Sequence, residues 1–436
     1  MDWLVISARH HPGQGGIGTY ITRFCEAATA GGWRVRLMTR PGRRYPPAQQ
    51  VYEVTTPDDR PEFAGRIPRL RRIERIRPYR YGLWALAVAE RLLTINTRPD
   101  AIEFVDCQAE GYVALRSRRV RRRFPGVPMI VHAHTPMFIQ ESINRADMRR
   151  FGRTLYHRWE RAALRAADGV IAGSELMAWQ LNLPSAAVIP CPLENAAIKI
   201  APMRTTGQRI ILVGSVQPSK GVQEWADSLN IVLRAAPQVC AELIGPDTMT
   251  APDGSSMIEF VRGCIEPDLR RRFSWRDELD HEEVIAAIES AAIVVVPGHF
   301  ESFSYVGAEA ILRGRPVILS DQTGLAQWAD GVTTVPAGDP AALAQAQLHI
   351  LDNYAEAEAA GALLRARLLN ACAPAHHLQR RQAFAASLTA NPPSPARGYD
   401  AIDRMRRFLA AVEKVEKRAG TGAWDRASAS PQWAER

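Results

Sequence analysis

Arg209-Ile-Ile-Leu-Val213-Gly214-Ser215-Val-Gln-Pro-Ser-Lys220-Gly221 is an apolar strand that runs into a loop carrying a lysine, and a helical stretch near Val222 to Ala235 follows it. Ahead of it, residues 195–208 lose all periodicity and carry proline, threonine and glycine. A fresh strand, turn and helix series opening at mid-chain after such a stretch predicts two α/β domains in tandem, with the linker at 195–208. The first series runs outward to the amino terminus: strand Trp3 to Ile6, glycine-rich Pro12 to Gly18, helix Thr19 to Ala30 ended by Gly31-Gly32, and strand Arg34 to Met38. Strands at Ala101 to Phe104, Met129 to His132, Gly169 to Ala172 and Ala187 to Ile189 continue it, with a helix at Arg149 to Ala167. The second series continues through strands Glu242 to Ile244, Ile293 to Val296 and Pro316 to Leu319, with helices near Glu282 to Ser290 and Ser304 to Arg313. Strands alternating with helices build parallel sheets. The expected units are 1–194, 209–369, a helical segment 370–418 and a disordered tail 419–436.

The 436 residues suit two or three domains at roughly 150 residues each, and 46% hydrophobic with 23% charged residues excludes wholesale disorder. No apolar run reaches the roughly 18 residues of a membrane span, and Met1 to Ser7 lacks a basic leader, so a cytoplasmic location is expected. The six cysteines are scattered without a C-x-x-C pair, as unpaired thiols in a reducing compartment would be. The net charge of +9 is asymmetric. Residues 1–200 hold 31 Lys+Arg against 18 Asp+Glu, leaving 24 against 28 of the chain's 55 and 46 for the remainder. Such a field suits an anionic partner: nucleic acid, an anionic membrane or a phosphate-bearing substrate. Within Arg66 to Arg77, Ile67, Leu70, Ile73 and Ile76 recur every three residues among arginines. This pattern fits a helix lying on a membrane surface and equally one packed on its own domain. Lys199, Lys220, Lys414 and Lys417 are the only lysines, which makes Lys220 conspicuous inside a loop.

Gly13-Gln14-Gly15-Gly16-Ile17-Gly18 matches G-x-G-x-x-G after a strand and before a helix, where bare amides can hold phosphate. A nicotinamide site asks for an acidic residue about 20 positions on. The second strand instead ends in Arg36-Leu-Met-Thr-Arg40, which leaves an NADP-dependent oxidoreductase as an alternative. Arg9 to Pro12, however, lengthen the loop beyond the usual dinucleotide turn. In the second domain, Val294-Val-Val-Pro297 leads through Gly298-His-Phe-Glu301 to Ser302-Phe303-Ser304-Tyr305-Val306-Gly307-Ala308-Glu309. If a helix begins near Ser304, the amides of Ser302 to Tyr305 form an anion site, with Glu301 at its mouth and Glu309 inside the helix. Carboxylates beside bound phosphate make sense when they accept hydrogen bonds from sugar hydroxyls. Taken singly, each glutamate reads as a cap-region or solvated helix residue. His132 and His134 share one strand face, yet no third ligand of matching spacing lies nearby, so no metal is expected.

The E-x(7)-E spacing from Glu301 to Glu309, followed by Gly314-Arg-Pro316-Val317, resembles the retaining family 4 glycosyltransferases, as do several other segments. Gly15-Gly16-Ile17-Gly18 resembles their glycine loop, and Pro128-Met-Ile-Val-His-Ala-His134 the strand that ends in their active-site histidine. Ala167-Asp168-Gly-Val-Ile-Ala-Gly-Ser174-Glu175 resembles a strand leading to a serine, and Val213-Gly214-Ser215-Val-Gln-Pro-Ser-Lys220-Gly221 the phosphate loop. The resemblance covers most of residues 2–350. It implies a GT-B fold, two Rossmann-like domains facing across a cleft, with the helices after 369 packing back on the first domain. It also implies a nucleoside-diphosphate sugar as donor, no cofactor, no metal and no nucleic acid. Lys220 and the amides of Phe303 to Val306 would hold the diphosphate beside Gly214 and Ser215, and Glu309 the ribose. Glu301 would hold the transferred sugar, with His134, Gly16 and Gly18 facing that sugar or the acceptor. The acceptor is expected to be lipid-linked or otherwise anionic, with peripheral membrane contact through 66–80. Two departures stand out. Ser215 replaces an arginine common in the family, which keeps a scaffold subunit without turnover as an alternative, and Pro190-Cys191-Pro192 replaces the usual P-N-G.

Overall fold

The computed structural model describes residues 1–10, 15–42, 44–56, 77–144, 151–193, 208–390 and 400–419. Gly13, Gln14, the basic run up to residue 76, the linker at 195–207 and the tail from 420 lie outside the described residues. Residues 77–80 are the first turn of a packed helix, Arg77–Thr94.

The first sheet contains β1 (Asp2–Ile6), β2 (Arg34–Thr39), β3 (Gln50–Glu53), β4 (Ala101–Val105), β5 (Met129–Ala133), β6 (Gly169–Ala172) and β7 (Ala187–Val188), in the order β3-β2-β1-β4-β5-β6-β7. The second contains β8 (Arg209–Val213), β9 (Cys240–Ile244), β10 (Phe273–Arg276), β11 (Ile293–Val296), β12 (Val317–Ser320) and β13 (Thr333–Val335), in the order β10-β9-β8-β11-β12-β13. Every pairing is parallel; Ile6, for example, stands opposite Phe104, and Val295 opposite Leu212. Helices on both faces explain why the central strands β4, β5, β11 and β12 are buried along their whole length instead of alternating.

One hydrophobic core joins the two sheets. Trp3, Phe24 and Ile130 of the first unit are continuous with Ile211, Val294 and Phe303 of the second and with Leu378 and Ala385 of helix Pro374–Ala390. That helix returns to the amino-terminal sheet and packs beside helix Gly16–Ala30, its Phe384 and Leu388 lying against Gly169. Helix Ala401–Ala419 packs on Arg77–Thr94: Met405 and Leu409 face Gly82, and Arg406 pairs with Glu90. Among the described residues no helix is long and apolar enough to cross a membrane.

Three strands escaped the reading of apolar runs. β3, β10 and β13 are sheet edges, short and only partly buried, so their sequences mix polar with apolar residues. The first helix also starts earlier than Thr19, at Gly16 inside the glycine run.

Candidate active site

In open parallel sheets, ligands bind beyond the carboxyl ends of the strands where the strand order reverses. In the second sheet that reversal lies between β8 and β11. The loops leaving those strands are Gly214–Gly221 and Pro297–Ser304. The first makes a single turn at Pro218–Lys220, and Gly221 then takes a left-handed conformation, φ 67°, before helix Val222–Ala235. A Cβ on Gly221 would stand 2.2 Å from the carbonyl oxygen of Pro297, so the two loops meet backbone to backbone and glycine is required. The His299 amide donates to the Ser219 carbonyl at 2.9 Å, and His299 Nε2 lies 3.0 Å from Glu224 Oε1. Held in this way, Lys220 Nζ forms an ion pair with Glu301 Oε1. The side-chain carbons of Lys220 pass over Gly214, and Ser215 brings no positive charge.

Helix Tyr305–Leu312 starts at the same mouth. Ser304 caps it, its Oγ accepting from the Gly307 amide at 3.2 Å, while holding φ at 88°. A left-handed conformation in a residue with a side chain costs on the order of 1–3 kcal/mol, so the packing around it must impose it. Helix-start amides and the helix dipole favour an anion beside Lys220. Phe303 is buried and meets the Tyr305 ring edge-on at 5.5 Å, so these two residues offer the mouth their backbone while their rings serve the core. Glu309 lies on the first turns of this helix, 7% exposed, with His281 Nε2 3.4 Å from its Oε1. Burial pushes its carboxyl up to about 7, although Arg313 and Arg23 pull the other way.

From the first sheet, His134 follows β5. Its ring stacks on His132, centroids 4.2 Å apart, and lies 4.5 Å from Tyr20. Burial, together with the neighbouring His132, holds His134 well below the usual histidine range, so the ring is neutral. Its buried Nε2 has no hydrogen-bond partner. Gly16 opens the helix that carries Tyr20, and the Gly18 carbonyl accepts from Thr22 Oγ1 at 3.0 Å. Tyr20 thus connects the glycine loop to His134.

The two units touch at both of these loops. Asn144 Oδ1 accepts from the Ser219 amide at 2.8 Å, and its Nδ2 donates to Gln217 Oε1 at 3.2 Å. Ser174 Oγ donates to the Ser302 carbonyl at 2.8 Å, and Trp328 Nε1 to the Gly173 carbonyl at 2.9 Å. Gly324 completes this seam, since a Cβ there would fall 2.3 Å from both Ser174 Oγ and the Ser302 carbonyl. Sequence reasoning passed over Asn144, which lies in a helix end without a motif. Among the described residues no group of three or more His, Cys, Asp or Glu is arranged to hold a metal ion.

Two Rossmann-like sheets in contact through the lysine loop and the loop that leads into the capped helix make this a GT-B fold. Residues 14–194 match Glycosyltransferase Family 4, and residues 207–353 match Glycosyl transferases group 1. The chain belongs to this glycosyltransferase family. Among curated proteins it is similar to glycogen synthase of Mycobacterium tuberculosis (strain CDC 1551 / Oshkosh), 28% identical over 38% of this chain and 39% of that one. It is also similar to D-inositol 3-phosphate glycosyltransferase of Mycolicibacterium smegmatis, 29% identical over 36% of this chain and 40% of that one. The matches therefore span about two fifths of each relative. Among solved structures, sucrose-phosphate synthase from Thermosynechococcus elongatus superposes with a TM-score of 0.66 at 20% identity, over 90% of this chain and all of that one. Anabaena Alr3699/HepE in complex with UDP and glucose gives 0.64 at 15% identity, over 89% of this chain and all of that one. Membership in this family weighs against the oxidoreductase alternative.

Proposed function

We propose that this protein is a retaining glycosyltransferase that moves a sugar from a nucleoside-diphosphate sugar to an acceptor hydroxyl, in the synthesis of a polysaccharide, glycolipid or other glycoconjugate. The observation that carries this reading is the meeting of Lys220, Glu301 and the capped start of helix Tyr305–Leu312 at the strand-order reversal. A donor bound there would take Lys220 and the amides of Ser304 to Val306 with its phosphates, Glu301 with its sugar hydroxyls and Glu309 with its ribose. The bond from the anomeric carbon to the diphosphate breaks while a bond to the acceptor oxygen forms on the same face. The acceptor proton passes to the departing phosphate oxygen. Lys220 and the helix-start amides stabilise the charge that develops on the leaving group, usually the largest contribution to such catalysis. This scheme calls on no protein nucleophile and no metal. HepE, whose complex holds UDP and glucose, supports the donor class.

The basic amino-terminal half favours a lipid-linked or otherwise anionic acceptor at the cytoplasmic face of a membrane. Sedimentation with anionic vesicles at low salt, lost at high salt, is the expected behaviour; no sedimentation would remove the membrane part of the reading.

Thermal unfolding with UDP, GDP, ADP, dTDP and CDP and their sugar conjugates tests the donor, because a ligand of the native state stabilises by RT ln(1+[L]/Kd). One nucleotide should raise Tm in the wild type and lose its effect in Lys220→Ala. Glu301→Ala should then reduce transfer by about 10²-fold or more, the scale of losing one electrostatic stabiliser. Ser215 favours a second reading, a binding subunit without turnover. Equal, background-level transfer by wild type and Glu301→Ala would decide for it.

A further inference from the structure

Behind His134 lies a buried polar cluster that this reaction scheme leaves unused. Arg381 on helix Pro374–Ala390, Glu103 on β4 and His132 on β5 are all fully buried. The guanidinium donates from Nε to His377 Nε2 at 2.7 Å, from Nη1 to Glu103 Oε2, and from Nη2 to Tyr20 Oη and, at 2.9 Å, to His132 Nδ1. Glu103 also accepts from Trp3 Nε1 and from Tyr20 Oη, each at 2.8 Å. The face of the guanidinium stands 4.7 Å from the Phe24 ring.

Stability does not account for such a cluster, since a buried ion pair is often no better than well-packed apolar residues. The pattern of donors carries more information. Two groups reach His132 Nδ1: Arg381 Nη2 at 2.9 Å, which can only donate, and Glu103 Oε1 at 3.3 Å, which can only accept; the shorter contact asks the nitrogen for its lone pair and so puts the neutral ring's proton on Nε2. His377 follows the same logic: its Nε2 accepts from Arg381 and its Nδ1 donates to the Pro190 carbonyl at 2.7 Å. The His132 ring lies nearly flat on His134, at 25° between planes. The charge and tilt of one ring therefore act directly on the other.

We propose that Arg381 is a positioning residue for sugar transfer: through His132 it fixes the His134 ring and keeps that ring uncharged where it meets the transferred sugar. This rests on the reading of the cleft given above. Several groups face the pair. Glu103 comes from β4, Tyr20 from helix Gly16–Ala30, His377 and Arg381 from the returning helix, and Asp106 from the residue after β4. Glu103 draws a proton toward His132, whereas burial and Arg381 oppose it. Residue 381 lies beyond both family-matched segments, so the carboxyl-terminal part of the chain would complete the amino-terminal half of the site.

The deciding measurement is long-range 1H–15N correlation on 15N-histidine-labelled protein between pH 5.5 and 8. His132 should be neutral with its proton on Nε2 throughout; a proton on Nδ1, or a cationic ring, overturns the proposal even if no variant folds. Arg381→Met leaves Glu103 uncompensated. It should let His132 protonate in this window and lower kcat about tenfold or more, the scale seen when partners orienting metal-bound histidines are removed. The donor KM should stay within about twofold, and an acidic limb should enter the pH profile. Glu103→Gln/Arg381→Met removes both charges and should return His132 to neutrality and recover most of kcat. An unchanged kcat in Arg381→Met, or a folded double variant as impaired as the single one, rejects the idea. If the wild type binds no nucleotide, the reading of the cleft fails while the tautomer result still stands on its own.

Discussion

At Glu309, burial bears directly on the proposed ribose contact. Its carboxyl is raised to about 7 by burial, and the folded protein therefore binds more protons than the unfolded chain between its ordinary value and about 7. The sign follows directly: this group's contribution makes the protein less stable as pH rises through that window, and Glu309→Gln should gain stability at pH 8 relative to pH 5. Ribose hydroxyls donate best to the ionised carboxylate. Nucleotide binding near pH 7 should therefore release a proton, seen by calorimetry in buffers of different ionisation enthalpy, and Glu309→Gln should abolish that release. Ser304 offers a second test at this scale. Ser304→Ala removes the acceptor for the Gly307 amide and should cost about 1 kcal/mol in urea unfolding.

At the scale of elements, the proposed donor side is two loops pressed together at Gly221 and Pro297. Gly221→Ala keeps every charged group but forces a Cβ into the Pro297 carbonyl and an unfavourable φ. The expected loss is roughly 2 kcal/mol or more in stability, together with a weaker nucleotide-induced Tm shift. An unchanged shift would mean that Lys220 is placed independently of this contact. The strand and helix pattern around these loops was legible because β8 and β11 are uninterrupted apolar runs with helices after them. Edge strands such as Phe273–Arg276 were not, because an edge half open to water needs no such run.

For the whole molecule, the helices after residue 353 bind the two sheets into one body. A chain ending before Pro374 would lose the Leu378 and Ala385 contacts and leave Glu103 buried without Arg381. Breaking a buried pair in this way costs about 3–5 kcal/mol, which at about 2–4 °C per kcal/mol predicts a Tm lower by roughly 6–20 °C in calorimetry.

The linear order of strands, turns and helices, and with it the two-sheet architecture, follows from local periodicity, since each strand's apolar run and each glycine turn is written within a few residues. The candidate chemical groups Lys220, Glu301, Glu309 and His134 were legible for the same reason, standing in short segments with a recognisable spacing. What brings Lys220 onto Glu301 is contact between residues 81 positions apart, and Arg381 reaches Glu103 across 278. Neither pairing leaves a local signature, because a buried arginine and a surface arginine are the same letter until the chain folds. Only the tertiary structure, by excluding water from around Arg381 and His132, decides which charges must find each other.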